Sequence, residues 1–447
     1  MPPDPVGWAA AQFERFDPRP APIAAHPRTA EVARDVALLS HPAGPDGRGL
    51  SREQRVANQL ALRARARADY AAGVRARLEA ALQSDAPLVE RLVHFWANHF
   101  AVSDRQGRVA ALAPAFEFDV IRPHVLGRFE DMFLAAMRHP ALLAYLDQAG
   151  SMGPNSEAAV RRNSYRRAKG QPDEFGPNEN FAREVLELHS LGVDGGYGQQ
   201  DVVELALALT GWSISHFVLR THATPAEPGA FVFHAAWHEP GRRTVLGRTY
   251  PAGGLAQPLA ILSDLARHPS TAWHLSRKLA RHFVADEPPE PLVARMAARF
   301  LETRGDLPSV YLEMLGAPET LARPFAKVRT PWDWTVAALR ALGVESAGAT
   351  DWPALFDRLG QPVWDPGSPA GWPDTDGAWS GANLLLRRIE AALEIGRLAG
   401  PGADPVALAE AQFGPLLSAA TRREAGRVDS RAQAVALVLL GREFHRR

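Results

Sequence analysis

Apolar residues recur at helical spacing from residue 51 to 212 and again from 255 to 345, and capping residues punctuate both spans. This periodicity constrains the fold most strongly, because such stripes are buried by packing helix on helix. The stretch "SREQRVANQLALRARARADYAAGVRARLEAALQ" (51–83) starts at Ser51, read as an N-cap, and continues as an Ala/Leu/Arg-rich helix. Its apolar residues are sparse, which predicts a surface position. "APLVERLVHFWANHFAV" (86–102) is far more apolar and is predicted to be buried on most sides. "FEDMFLAAMRHPALLAYLD" (129–147) divides at His139-Pro140. After a second His-Pro break, Ser270 is the expected N-cap of "HPSTAWHLSRKLARHFVAD". The helix in "NENFAREVLELHSLG" is expected to end at Gly192.

The pattern changes between 213 and 250. "FVLRTHA", "GAFVFHAAW" and "RRTVLGRTY" are short, rich in β-branched and aromatic residues, and separated by Gly and Pro. They predict a small β-hairpin insertion. The fold class is therefore mainly α, a large multi-helix body with that insertion and an irregular C-terminal loop. The expected organisation is an N-terminal arm (1–50), a helical body (51–345), a Pro/Gly/Trp loop (346–382) and C-terminal helices packed on the body (383–447). Trp364, Trp372 and Trp379 predict that the loop is pinned to the body.

Several function classes drop out on composition. Lys+Arg and Asp+Glu balance at 50 each, so no global field recruits nucleic acid or an anionic membrane. The chain has no cysteine, which excludes disulfides, thiolate metal sites and cysteine nucleophiles. No stretch is long and apolar enough to predict a transmembrane span. The start, "MPPDPVGWAAAQFERFDPRP", lacks the pattern of a signal peptide, so a cytoplasmic location is the default, and a periplasmic one if a leader was removed. There is no G-x-S-x-G elbow, P-loop or Rossmann glycine pattern.

Two polar stretches carry the chemistry that remains. In "HFWANHFAVS" (94–103), His94 and Asn98 are four residues apart and project from nearly one helical face. His94 and His99 are about 140° apart, so one ion cannot easily take both. His94 is read either as a ligand or as a buried, hydrogen-bonded ring among Phe95, Trp96 and Phe100. In the second stretch Asn180, Glu184 and Glu187 share a face bordered by Phe181, Val185 and Leu188. Arg183 lies four residues from Glu179 and Glu187, so part of this set reads equally as a surface ion-pair ladder. Glu184 borders the apolar stripe, where a carboxylate needs an Arg, a His or a metal. His238 and Glu239 in "WHEPG" and Lys278 in the His-rich helix are further candidates, Lys278 as an anion contact or a surface charge.

In order, "VHFWANHFAVS", "NENFAREVLELHSLGVDGGYGQQDV", "ALTGW", "HEPGRRTVLG", "HPSTAWHLSRKLARHFVADEPP" and "KVRTPWDWTVAALRALG" resemble the bacterial domain of unknown function 1800 family over roughly residues 50–400. The resemblance implies a predominantly helical protein, often encoded beside a sulfatase-like protein. It also implies recurrent polar positions at His94, Asn98, His99, Asn178, Glu179, Asn180, Arg183, Glu184, Glu187, His189, Trp212, His238 and Lys278. Two readings of function follow. In one, the protein is a metal-dependent or acid/base enzyme whose site lies between helices 86–102 and 178–191. Glu184, Glu187 and His94 are then catalytic, and Asn98, Asn180, Arg183, Trp212 and Lys278 bind substrate. A divalent zinc, manganese or iron ion is held by His94, Glu184, Glu187 and His238, and His94 lies within about 8 Å of Glu184 or Glu187. In the other, the protein is a non-catalytic binding or maturation partner of the sulfatase-like protein, and the same residues fix helix register.

Overall fold

A computed structural model describes residues 4–40, 50–103, 107–171, 176–216, 226–322, 325–400, 402–428 and 430–447. The architecture is mainly α, as the periodicity requires, with two small antiparallel two-stranded sheets. The helices that build and brace the site are α1 (Pro5–Arg15), α2 (Arg52–Gln83), α3 (Pro87–His99), α4 (Gly107–Phe116), α5 (Pro140–Tyr145), α6 (Glu179–Glu187), α7 (Pro269–Phe283), α8 (Pro331–Ala341), α9 (Ala382–Gly396) and α10 (Arg431–Leu440). Strands β1 (Trp212–Ile214) and β2 (Phe231–Phe233) pair, as do β3 (Arg243–Val245) and β4 (Arg248–Tyr250). The strand expected in 217–223 lies outside the described residues.

Helix α2 opens on a reciprocal cap. The Ser51 hydroxyl accepts the Gln54 N–H at 3.1 Å, and the Gln54 side chain accepts the Ser51 N–H at 2.9 Å. Its first half is exposed, as the arginine-rich pattern suggests, but from Ala66 onward it sinks into the core. The burial is possible because Gly73 faces α4: a Cβ there would come within 2.5 Å of the Pro114 ring.

Helix α3 carries the apolar centre. Leu88, Val89, Leu92, Val93, Phe95 and Trp96 are buried along it, each such side chain contributing about 1.5–3 kcal/mol. The Trp96 indole N–H donates to the Tyr311 hydroxyl at 2.6 Å, which in turn donates to the Val125 carbonyl at 3.0 Å. The N-terminal arm lies along this body. The Gln12 side chain accepts the Leu88 N–H at 2.8 Å, and Arg122 Nε donates to the Pro18 carbonyl at 3.0 Å.

Both His-Pro breaks use one device. His139 Nδ1 accepts the Ala141 N–H at 3.1 Å and begins α5; His268 Nδ1 accepts the Ser270 N–H at 3.1 Å and begins α7. The expected Ser270 cap is thus replaced by the preceding histidine, with proline at the first helical position. Helix α6 also stops earlier than expected, at Glu187. The Ser190 hydroxyl donates to the Val185 carbonyl at 2.6 Å and turns the chain before Gly192, which adopts φ +86° beyond the helix. Among the described residues, no helix is long and apolar enough to cross a membrane.

Candidate functional site

Helices α3, α7 and α8 converge with the loop that follows residue 360. On α3, His94 Nδ1 accepts the indole N–H of Trp332 at 3.0 Å, with the rings edge to face at 5.1 Å. That bond makes Nδ1 the unprotonated nitrogen, so Nε2 carries the hydrogen. Nε2 is buried and has no hydrogen-bond partner among the described residues. Burial, followed by the charges of Arg77, Arg122 and Arg91, holds the His94 pKa well below the usual histidine range.

Helix α7 presents His274, Lys278 and His282 at four-residue spacing, on one face. His282 Nδ1 lies 2.5 Å from the Asp374 carboxylate. Burial outweighs Asp374 and lowers the His282 pKa. For Asp374 burial works upward, but His282, Lys278 and Arg447 outweigh it and keep the carboxyl ionised. The imidazole is therefore neutral at pH 7, donates Nδ1–H to Asp374 and keeps its lone pair on Nε2. A cavity of about 70 Å³ is lined by His94, His282, Asp333, Asp374, Trp332 and Arg77, among others.

The loop is held over this cavity by α3. Asn98 Nδ2 donates to the Trp372 carbonyl at 2.9 Å, and its Oδ1 accepts the Trp372 N–H at 2.7 Å. Gly371 (φ +80°) allows the approach, since a Cβ there would lie 2.3 Å from the Asn98 carbonyl oxygen. Trp364 sits at φ +53°, a costly conformation for an aromatic residue, and is fixed by its indole N–H donating to Glu117 at 2.8 Å. Glu117 also accepts from Arg77 Nε at 2.9 Å, and the Arg77 guanidinium lies 4.3 Å from the Trp332 ring centroid. Lys327 Nζ donates to the Asp374 carbonyl at 2.5 Å. The tryptophan-rich loop is pinned, as its composition predicts.

Other expected site residues lie elsewhere. Lys278 Nζ donates to His99 Nδ1 at 3.1 Å, its only hydrogen bond among the described residues, and burial lowers its pKa. His99 Nε2 then faces the His189 carbonyl at 3.3 Å, and His189 Nδ1 faces the His99 carbonyl at 3.2 Å. Helices α3 and α6 therefore meet at the last residue of α3, His99, and at His189 just past the end of α6, and not through the polar faces expected to join. Glu184 and Glu187 line neither of the two cavities bordered by His94, and neither is among the charges acting on it. Glu184 is half-buried; burial, then Glu187, raises its pKa. Glu187 accepts weakly from the Tyr197 hydroxyl at 3.5 Å.

The rest of that set lies on the surface or in the β region. Arg183 donates to Gln199 at 2.7 Å, and Gln199 donates to Glu179 at 2.8 Å, on the surface. Asn180 is exposed, with its backbone N–H capped by Asn178 at 3.0 Å. Trp212 is fully buried in β1, edge-on to Phe231, its indole N–H without a hydrogen-bond partner among the described residues. His238 Nδ1 faces the Thr210 carbonyl at 3.1 Å, while Glu239 accepts the Asn155 backbone and side-chain N–H groups at 2.9 and 2.7 Å. His94, Glu184, Glu187 and His238 are thus dispersed. Among the described residues, no three His, Asp or Glu side chains are grouped to hold a metal ion.

The sequence reading passed over His282, Asp374, Asp333 and Arg91. His282 had a signal, since it repeats the four-residue step from His274 through Lys278 on a strongly amphipathic helix. Asp374 had none, because the loop geometry that aims it at His282 depends on Asn98.

A family model described as "Protein of unknown function (DUF1800)" matches residues 5–446. No curated protein and no solved structure matches the chain.

Proposed function

This chain belongs to the DUF1800 family of proteins of unknown function, and we propose that it is an acid–base enzyme whose site lies between α3, α7, α8 and the tryptophan loop. Asp374 orients His282 and stabilises its imidazolium form, so that Nε2 takes a proton from water or from an acidic position of a bound substrate. His94 Nε2–H, fixed by Trp332, donates a hydrogen bond to the oxygen on which charge develops. Positioned general-base groups of this kind contribute roughly 10²–10⁴-fold to rate. The observation that carries this reading is the 2.5 Å His282–Asp374 contact at a cavity also lined by His94.

The test is product analysis by mass spectrometry after incubating small-molecule extracts with wild type and with His282→Gln. Compounds consumed by wild type and spared by the variant support the reading; identical profiles overturn it. A second reading keeps the protein as a binding or maturation partner of a sulfatase-like protein. Asn98, whose two polar side-chain atoms are both spent on holding Trp372, supports only its non-catalytic part, in which polar residues of the site fix the structure. Unchanged extracts together with retention of such a protein on an immobilised wild-type column would select it.

A further inference from the structure

Beside the acid–base cavity lies a second one, of about 250 Å³, between α3 and α8. A single water needs only about 10–15 Å³ on this measure, so the space suits a ligand group. Its walls carry four arginines: Arg91, Arg329, Arg340 and Arg447. The acidic groups there are already committed. Glu90 is held by Arg122 through two bonds of 2.7 and 2.9 Å, and Asp333 pairs with Arg447. Arg340 spends one nitrogen on the carbonyls of Ala81, Leu82 and Ser84, and Arg329 donates to the Phe444 carbonyl at 2.5 Å. These carbonyls satisfy hydrogen bonds but do not cancel charge.

Arg91 is different. Its guanidinium lies 5.0 Å from the Phe283 ring centroid and makes no hydrogen bond or ion pair among the described residues. Burial, then Arg447, pushes its pKa down to about 9. Arg447 Nε and His94 Nε2, on residues lining the same space, are also buried atoms without hydrogen-bond partners among the described residues. All four arginines are half-buried, and Asp333 is the one carboxylate there not held by Arg122, so positive charge exceeds negative around the cavity and an anion entering it lowers the cost of holding these cations together. Planar guanidinium groups match the oxygens of phosphate, sulfate and carboxylate in pairs. The exposed Gln412 marks where the cavity reaches solvent.

We propose that this cavity binds an oxyanion, with Arg91 as its principal ligand, and that the substrate of the neighbouring site carries a phosphate, sulfate or carboxylate group. The cavities share His94, Trp332 and Asp333, so an anchored oxyanion would place the remainder of the molecule toward His282. The assignment of the oxyanion to a substrate rests on the acid–base reading; the anion site itself does not.

Binding is measured by titration calorimetry with inorganic phosphate, sulfate and acetate, at pH 7.5 and constant ionic strength set by chloride. Wild type is expected to bind at least one oxyanion saturably, the tetrahedral and carboxylate arms distinguishing the group. Arg91→Met should weaken binding tenfold or more, and Arg91→Lys, which keeps the charge but loses the fork, less so. The exposed Arg67→Met should bind like wild type. No saturable binding in wild type, or equal binding by wild type and both Arg91 variants, overturns the proposal. His282→Gln should retain anion binding, so loss of turnover in that variant reports on the acid–base reading alone.

Discussion

The Trp332 indole donates to His94 Nδ1 at 3.0 Å, and this one bond decides which nitrogen of a buried histidine carries its hydrogen. Trp332→Phe preserves an aromatic ring but removes the donor. We expect a loss of about 1–3 kcal/mol in urea unfolding, from an acceptor left buried and unpaired. Nitrogen chemical shifts of His94 should at the same time show mixed tautomers. A variant as stable as wild type, with His94 unchanged, would remove Trp332 from this role.

Asn98 should control the loop. Asn98→Ala deletes two hydrogen bonds to Trp372 and is expected to cost about 1–3 kcal/mol. Limited proteolysis should then cut within residues 360–382 faster than in wild type. Asn98→Asp keeps the acceptor for the Trp372 N–H but loses the donor, and should fall between the two. Equal cleavage rates in all three proteins would show that the tryptophans suffice without the asparagine.

Acid should destabilise the protein earlier than carboxylate titration alone would. Burial first, and cationic neighbours for two of them, lower His139 and His189 to about 3 and His274 to about 4. Their unfolded values are near 6.5, so the unfolded chain binds more protons within that window. The stability they contribute is complete above about pH 6.5 and is lost as pH falls toward the folded values. Each histidine costs at most about 1.4 kcal/mol per pH unit in that range. Urea midpoints measured from pH 8 to pH 4.5 check the sign, and a flat profile would contradict it.

Glu184→Gln separates the observed surroundings from the earlier metal expectation. Burial and Glu187 both disfavour the Glu184 charge, but the group is half exposed and solvent screens it. The variant is expected to lie within about 0.5 kcal/mol of wild type at pH 7, or slightly above it. Loss of a bound metal on this substitution, read by elemental analysis, would restore the expectation.

The fold was legible because helical spacing, caps and proline breaks are local signals. Ser51 with Gln54 was readable for that reason, and even the mistaken Ser270 cap was misplaced by only two residues. His94 was also singled out, as a residue with an apolar setting and polar edges. Its partners were not, because Trp332, Asp333 and the loop carrying Asp374 are more than 200 residues away. Glu184 and Glu187 looked paired with His94 because both helices are amphipathic, yet periodicity states which face is apolar and not which neighbour it meets. The meeting point was fixed instead by His99 and His189, whose rings bond each other's carbonyls.

The two cavities draw on residues 77–102, 282, 329–340, 361–374, 412 and 447, so their walls join distant parts of the chain. Loop closure over such separations must precede any reward from the contacts themselves. These long loop closures favour late assembly of the polar centre, after the local helices and the α2–α4 packing. A chain still emerging from the ribosome holds arginines with no cavity to line and a histidine with no tautomer imposed on it. On the acid–base reading, activity starts only when the topology is complete, which spares the cell a partly folded protein with a working site.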